Sequence, residues 1–339
     1  MTALAVTESL RYTCPRCAAD VASAGDAYCC EQCKTMYPVV LGIPDFRVAP
    51  DPWISLEDDR EKAMRLAEVS AELTLEETVR AYWAMTPGTP AAQAERFVRY
   101  VMDADRRARE WLSLVERDGS SDLVSETPWL EIGAGTGDLL VAAAARGYRM
   151  IGVDIAMRWL VVARRRAELA GVSSWLVCCN GEHLPFADGS FGRVLSVGTL
   201  EHCRSADDTI GEARRVLRKH GVLSARTVNR FTLLREPHVG VWGVGFVPRR
   251  WADAYVRMWS RERYLHHRPL SARELRLALR RERFVDARVV PGAPLGADRE
   301  RLGRLQFAMP AYDRLRRAPV VGSALAWVAP LLEIRGKVS

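Results

Sequence analysis

The chain reads as an α/β protein in which a doubly wound sheet follows an N-terminal cysteine-rich module and a helical segment. Three observations point there. From Pro128 onward, short apolar runs alternate with helix-like stretches; a glycine-rich turn closes the first run; and five of the eight cysteines fall between Cys14 and Cys33. Strand–helix alternation argues for a mostly parallel sheet with crossover helices. A length of 339 residues accommodates one catalytic domain and a small module. With 48% hydrophobic and 27% charged residues, a disordered or collagen-like chain is excluded. The net charge is +7 and the basic residues are overwhelmingly arginine. That bias fits an anionic partner such as nucleic acid, or equally a GC-rich genome.

In chain order, residues 1–48 form the cysteine-rich module and end in YPVVLGIPDF, with Pro50 and Pro52 marking a linker. The opening MTALAVTESLRYTC lacks a basic stretch followed by an apolar core, so no signal peptide is expected. Clustered C-x-x-C pairs suit a metal in a reducing compartment better than a disulfide framework, and a cytoplasmic location is expected. Residues 49–125 read as a helical linker. Ser55 with Asp58 and Thr74 with Glu77 resemble capping boxes, Pro87 to Pro90 interrupts, Ala91 to Glu116 resumes, and Gly119-Ser120-Ser121 forms a second linker.

The catalytic domain is expected over 126–339. Strands are expected at Trp129–Ile132, Met150–Val153, Trp175–Cys179, Val194–Val197 and Val222–Val228. Helices are expected at Asp138–Arg146, Ala156–Ala170 and Ala206–Leu217. A lid-like insertion, rich in aromatics and glycine, occupies 229–270. The helix Ala272–Arg283 and strands Phe284–Val290 and Leu332–Val338 complete the sheet. The apolar stretch Ala318 to Ile334 carries Gly322, Pro330 and Glu333 and is shorter than the roughly 20 residues of a spanning helix. It reads as a buried helix followed by a strand, with membrane-surface contact as the alternative.

The chemistry concentrates at Glu131-Ile132-Gly133-Ala134-Gly135-Thr136-Gly137. Such glycines let backbone turn tightly and approach a ligand closely. A dinucleotide fingerprint needs G-x-G-x-x-G/A, and its third small residue would fall at Asp138. The spacing is instead G-x-G-x-G, which resembles motif I of class I S-adenosylmethionine-dependent methyltransferases. Asp154 ends the second strand, 21 residues after Gly133, where a carboxylate can accept both ribose hydroxyls. Residues 180–203, NGEHLPFADGSFGRVLSVGTLEHC, resemble the same family's segment after the third strand, and Glu212 to Leu217 its E-x-x-R-V-L.

The resemblance spans about residues 128–228 and implies a Rossmann-like methyltransferase fold (methyltransferase type 11-like), S-adenosylmethionine as cofactor and EC class 2.1.1. By resemblance, Glu131, Gly133, Ala134, Gly135 and Gly137 cradle the amino-acid part of the cofactor. Asp154 holds the ribose, Ile155 lies beside the adenine, and Asn180, Gly181 and Glu182 lie at the adenine edge. Asn180 replaces the usual aspartate and still offers a carbonyl to an adenine amino group. Lys219-His220-Gly221 replaces the usual Pro-Gly-Gly and is expected to alter a turn.

Cys14-x-x-Cys17 and Cys30-x-x-Cys33 are two knuckles with 12 residues between them, the spacing of a tetrahedral four-thiolate zinc site. Cys29 is a rival for Cys30. With Met36-Tyr37-Pro38 and Gly42-Ile43-Pro44-Asp45-Phe46, the module resembles Trm112-like zinc ribbons. Four protein ligands leave no open position, so the zinc is expected to be structural, with RNA or partner recognition as the alternative.

Methyl transfer needs proximity, orientation and, for a protic acceptor, a base. Glu201 and His202 follow the fourth strand and His238 follows the fifth, which makes them the candidate catalytic residues. His266-His267 lacks ligand-like neighbours in the sequence and reads as a loop pair. Val239–Val247 with Trp242, Phe246, Trp251 and Trp259 suggests either a lid over an apolar acceptor or ordinary core packing. Val197-Gly198-Thr199-Leu200 stands where nucleobase amino-methyltransferases often carry Asn/Asp-Pro-Pro-aromatic, so oxygen methylation is expected, then carbon methylation.

Three functions follow. The first is methylation of a small-molecule natural product, glycan or lipid-linked acceptor. The second is rRNA or tRNA methylation, since bacterial guanine-N1 methyltransferases also join a zinc ribbon to this fold. The third is a non-enzymatic partner or activator. The net positive charge is concentrated in residues 261–320, where 15 arginines face seven acidic residues, most simply as a solvated face and otherwise as a phosphate contact.

Overall fold

Cysteine spacing, apolar alternation and helix caps translate into secondary structure with few departures. The computed structural model describes residues 11–117, 127–260, 262–296 and 307–339. The expected Gly119–Ser121 linker, the first ten residues and part of the arginine-rich 261–320 region lie outside them. The chain divides into two compact units, 1–194 with 215–218, and 195–214 with 219–339.

The first unit begins with a four-stranded antiparallel sheet of β1 (Val21–Ser23), β2 (Ala27–Cys30), β3 (Met36–Val40) and β4 (Ile43–Pro44). So small a sheet has little interior, and aromatic rings supply it: Tyr12, Tyr28 and Tyr37 each pack on Phe46 with ring centroids 5.0–5.4 Å apart. Helices α1 (Leu56–Ser70), α2 (Leu75–Ala84), α3 (Ala91–Met102) and α4 (Ala104–Arg117) follow. Ser55 accepts the Asp58 N–H, and Thr74 with Glu77 completes a reciprocal capping box. The expected continuous helix from Ala91 breaks at Asp103, so α3 and α4 are separate elements. Each buries one stripe, Val98 and Val101 in α3, then Ala108, Trp111, Leu112 and Val115 in α4. Burial of each large apolar side chain contributes roughly 1.5–3 kcal/mol.

The parallel strands come next: β5 (Trp129–Ile132), β6 (Met150–Asp154) and β7 (Trp175–Cys178), with α5 (Asp138–Ala144) and α6 (Met157–Leu169) between them. All four residues of β5 are buried, as a strand covered on both faces requires. β8 (Phe191–Val197) carries the chain from one unit into the other. Within the first unit the strand order is β8-β5-β6-β7.

In the second unit the order is β10-β11-β9-β8, where β9 is Leu217–Val228, β10 Val285–Pro291 and β11 Leu331–Lys337. β11 runs antiparallel to both β9 and β10. β9 starts at Leu217 rather than Val222. Lys219-His220-Gly221 lies inside it, with His220 at φ 64, instead of in the expected turn. Helices α7 (Ala206–Val216), α8 (Ala252–Trp259), α9 (Ala272–Arg281), α10 (Met309–Arg317) and α11 (Pro319–Leu325) complete the unit. A capping box at Ser271 and Glu274, not expected from the sequence, opens α9. The apolar stretch from Ala318 forms helix then strand as expected, but the helix is not buried: Val320 is 83% exposed and only Gly322 is covered. Apolar composition alone does not assign a side chain to the interior. Among the described residues no helix is long and apolar enough to cross a membrane.

Candidate functional site

The glycine turn leaves β5 and enters α5. Gly137 adopts φ 76, and a Cβ on it would lie 2.8 Å from the Ala163 Cβ of α6, so only glycine lets the turn sit against that helix. Gly135, at φ 49, faces open space, which leaves room for a ligand. The N–H groups of Gly133 and Ala134 donate to the Val153 carbonyl at 2.8 and 2.9 Å, tying the turn to the end of β6. Asp154 completes that tie: one carboxylate oxygen accepts the Gly135 N–H and the other the Ala156 N–H, both at 2.8 Å.

Three carboxyl groups gather around this turn. Glu131 is buried, and its Oε2 has no hydrogen-bond partner among the described residues. Burial raises its pKa well above the ordinary carboxyl value, and the charges of Asp138 and Asp154 add to the rise. Burial likewise raises Asp138, against the pull of Arg166, and Asp154, against the N–H groups of Ala156 and Gly135. A concentration of carboxylates repels a pyrophosphate and favours a cation. An unsatisfied buried oxygen asks for a donor.

Behind the turn lies an ion cluster that motif reading did not disclose. The Arg47 guanidinium donates to both oxygens of Asp45, to Asp59 Oδ2 at 2.6 Å and to the Ile155 carbonyl at 3.0 Å. Arg158 donates to Asp59 Oδ1 at 2.6 Å and Asp51 Oδ2 at 2.7 Å, and the Met157 N–H also donates to Asp59. Arg60 reaches Asp45 from α1. The end of the cysteine module, the linker and α1 are thereby fixed against the residues after Asp154. Asn180 serves the same purpose. Its Oδ1 accepts the N–H groups of Val48 and Ala49, and its Nδ2 donates to the Ala49 carbonyl. The side chain expected at the adenine edge is thus engaged by the chain's own backbone, while Gly181 and Glu182 sit half-buried in the following turn. The Asp45/Arg47 pair, two residues apart, was the one visible trace of the cluster.

The cysteine module docks along the open side of β7. Phe46 N–H donates to the Cys178 carbonyl at 2.7 Å, Thr13 N–H to the Pro185 carbonyl at 3.1 Å, and Tyr12 stands 5.8 Å from Phe186. A strand edge that would otherwise expose its carbonyls is covered. In the module, one sulfur from each of Cys14, Cys17, Cys30 and Cys33 lies within 4.8 Å of the others. Cys14–Cys33 is 3.6 Å and Cys17–Cys30 is 3.5 Å, close to the edge of about 3.8 Å of a tetrahedron built on 2.3 Å zinc–sulfur bonds. Cys29 points away, toward the Cys30 carbonyl, so Cys30 is the cluster's fourth member. The Cys33 N–H donates to Cys30 Sγ, and the hydroxyls of Tyr37 and Thr35 stand 3.1 Å from Cys14 and Cys33. Such outer partners orient thiolate ligands.

The second unit brings the remaining candidates together. His202 follows β8 and His238 follows β9, and their Nε2 atoms are 3.2 Å apart. His267 joins them, its Nδ1 3.3 Å from His202 Nδ1. The reading of His266-His267 as a loop pair without ligand-like neighbours is therefore corrected: the neighbours come from loops far away in sequence. Glu236, also missed, accepts the His238 ring at 2.5 Å and the His238 and Val239 N–H groups at 2.8 and 3.0 Å. Burial works against both charges, yet the pairing holds Glu236 below and His238 above their ordinary pKa values. Burial, with repulsion from His238 and His202, pushes His267 down to about 3. Glu201 is buried and accepts the Thr227 hydroxyl at 2.6 Å, and burial raises its pKa. It braces this loop instead of facing solvent.

The segment after β9 divides its side chains between both expectations. Val239, Val241 and Val244 form a small core with Ala252 and Val256, whereas Trp242, Phe246, Trp251 and Trp259 are each half or more exposed. Several arginines nearby are ion-paired: Arg249 with Glu274, Arg281 with Asp207, and Arg316 and Arg317 with Asp313.

Comparison with known proteins agrees with the glycine turn and its surroundings. Residues 130–225 match a methyltransferase domain family, Methyltransf_11. A demethylmenaquinone methyltransferase of Tropheryma whipplei is 36% identical over 94 residues, covering 28% of this chain and 38% of its own. A malonyl-[acyl-carrier protein] O-methyltransferase of Methylovorus is 37% identical over 122 residues, covering 33% and 41%. The chain thus spans less than half the length of these curated relatives. Among solved structures, phosphoethanolamine N-methyltransferase 2 of Haemonchus contortus with S-adenosyl-L-methionine is similar at a TM-score of 0.43. It is 20% identical and covers 67% of this chain and 51% of that one. The strands β5 to β8, with the glycine turn and the acidic end of β6, thus lie in the stretch of residues 130–225 that matches a methyltransferase domain.

Proposed function

We propose that this protein is an S-adenosylmethionine-dependent methyltransferase that methylates an oxygen, or in second place a carbon, of a small-molecule acceptor: a natural product, glycan or lipid-linked molecule. The observation that carries the donor assignment is the buried, unpartnered Glu131 oxygen beside Gly135 and Asp154. S-adenosylmethionine brings an ammonium, a sulfonium and a ribose diol, and supplies an activated methyl group when bound. Glu131 meets the ammonium, Gly133, Ala134, Gly135 and Gly137 give its carboxylate room, and Asp154 exchanges a backbone donor for the ribose hydroxyls. Ile155, Gly181 and Glu182 flank the adenine. Asn180 acts there by holding Val48 and Ala49 in place. A pyridine dinucleotide fits the carboxylate cluster poorly, because its pyrophosphate is anionic.

The acceptor side belongs to His202 and His238, with Glu201 as their brace and the imidazole nitrogens as the groups that handle an acceptor hydroxyl's proton. The exposed Trp242, Phe246, Trp251 and Trp259 favour an apolar acceptor. Incubation of the protein with methyl-labelled donor and fractionated cell extract checks this: label is expected in the small-molecule and lipid fractions. Label in RNA alone overturns the acceptor class.

The four cysteines hold a structural zinc ion. They are saturated as a donor set, so the metal leaves no vertex for chemistry. Purified protein is expected to lose its ordered fold on treatment with a strong chelator, and Cys14→Ser to lower the zinc content and the melting temperature together. Retention of full stability by the metal-free chain overturns the assignment.

A further inference from the structure

The second unit contains another cluster of metal-competent side chains. His202, His238 and His267 arrive on three loops: after β8, after β9 and before α9. One nitrogen from each lies within 4.8 Å of the others. Each close pair, 3.2 Å from His202 Nε2 to His238 Nε2 and 3.3 Å from His202 Nδ1 to His267 Nδ1, is near the edge of about 3.3 Å of a tetrahedron of nitrogens at 2.0–2.1 Å from an ion; because they use opposite nitrogens of His202, one of them is the edge around a given ion. The rings of His238 and His267 stack with centroids 4.4 Å apart, and His202 stands edge-on to both.

The loops are pinned for this arrangement. The Arg268 N–H donates to the Glu201 carbonyl at 2.6 Å, so the residues flanking His267 and His202 are joined directly. The Glu236 backbone closes a turn with Gly240 and Val241, and its carboxylate takes both backbone N–H groups and the Nδ1 of His238. With Nδ1–H donating to Glu236, His238 presents the Nε2 lone pair to the cluster. This carboxylate–histidine pairing is the outer-shell arrangement that fixes the tautomer of metal-ligating imidazoles. His202 offers Nε2 toward His238 and Nδ1 toward His267, and a single ion takes one of these. Its exposed ring turns to the ion without disturbing a packed core.

We propose that His202, His238 and His267 bind a divalent transition-metal ion, zinc or a metal of similar preference, separate from the four-cysteine site. A neutral three-imidazole donor set suits zinc, copper, nickel or iron and disfavours magnesium and calcium. Three protein ligands leave at least one position open, which marks a site for an exogenous oxygen ligand. A metal held there would lower the pKa of a bound hydroxyl, and in that state the three imidazoles would serve as ligands instead of taking the acceptor's proton, so this inference refines the acceptor side of the reading above.

The test is made on the full chain. Wild-type protein is expected to hold two zinc atoms by elemental analysis, and His267→Ala and His238→Ala one each, while His266→Ala keeps two. Cobalt(II) added to zinc-depleted protein is expected to give two absorption signatures. The one with intense sulfur-to-metal charge transfer is lost in Cys14→Ser, and the weaker nitrogen-ligand one is lost in His267→Ala. Circular dichroism shows whether each variant is folded, and His267→Gln replaces any that is not. A single metal per wild-type chain, or a cobalt spectrum unaffected by the histidine variants, overturns the proposal. S-adenosylmethionine binding by the wild-type chain, measured in parallel, reports on the methyltransferase reading alone.

Discussion

Asp59→Ala is expected to lower the unfolding free energy by about 3–5 kcal/mol. Asp59 is fully buried and accepts from Arg47, Arg158 and the Met157 N–H. Its removal leaves three guanidiniums, those of Arg47, Arg158 and the partly exposed Arg60, against the two carboxylates of Asp45 and Asp51, so the positive charge then exceeds the negative. Asp59→Asn keeps an oxygen for Met157 but not the charge, so an intermediate loss is expected. Urea denaturation followed by circular dichroism measures both, and a loss below about 1 kcal/mol for the alanine variant would show that the cluster relaxes on its own. The same cluster sets an acid limit. Burial alone would raise Asp45, but Arg47 and Arg60 hold it below its ordinary value of 3.8. Its contribution is therefore complete above that pH and is lost as acidification passes through the lowered value.

Asp154→Ala is expected to weaken S-adenosylmethionine binding by about 100-fold or more. Hydrogen bonds to a charged acceptor are worth about 1.5–3 kcal/mol each, and about 1.4 kcal/mol is tenfold in affinity. The substitution also releases the Gly135 and Ala156 N–H groups, which loosens the turn. Isothermal calorimetry decides: affinity within threefold of wild type would contradict the assignment. Glu131 adds a pH dependence with a definite sign. Its pKa is raised in the free protein, and a bound ammonium favours the ionised form. Binding below that raised pKa therefore releases a proton, and affinity climbs with pH until Glu131 is ionised beforehand. Glu131→Gln is expected to bind more weakly and to flatten this slope.

The parts legible in the sequence are those governed by local rules. G-x-G-x-G needs backbone freedom at fixed spacing, C-x-x-C pairs need two thiolates on one turn, and Thr74 with Glu77 caps its own helix. The missing parts depend on residues brought together from distant positions. Nothing near His267 hints at His202 or His238, and nothing near Asp59 hints at Arg158. Asn180 was read by position in a motif, which does not say that Val48 and Ala49 fold back onto it. Charged side chains buried without a motif, such as Arg47, look like surface residues in a composition this rich in arginine.

The docking of the cysteine module on β7 also orders events during synthesis. Tyr12, Thr13, Phe46 and Val48 find their partners at residues 178–186, more than 130 positions later. The module leaves the ribosome before residues 178–186 and cannot close that interface until the third parallel strand has emerged. Closing so long a loop is entropically slow, and strand edges exposed meanwhile invite wrong pairings. Four cysteines within twenty residues, with their sulfurs within 4.8 Å of one another, give the module contacts of its own before that interface closes, so it can meet the later strand as an already shaped cap.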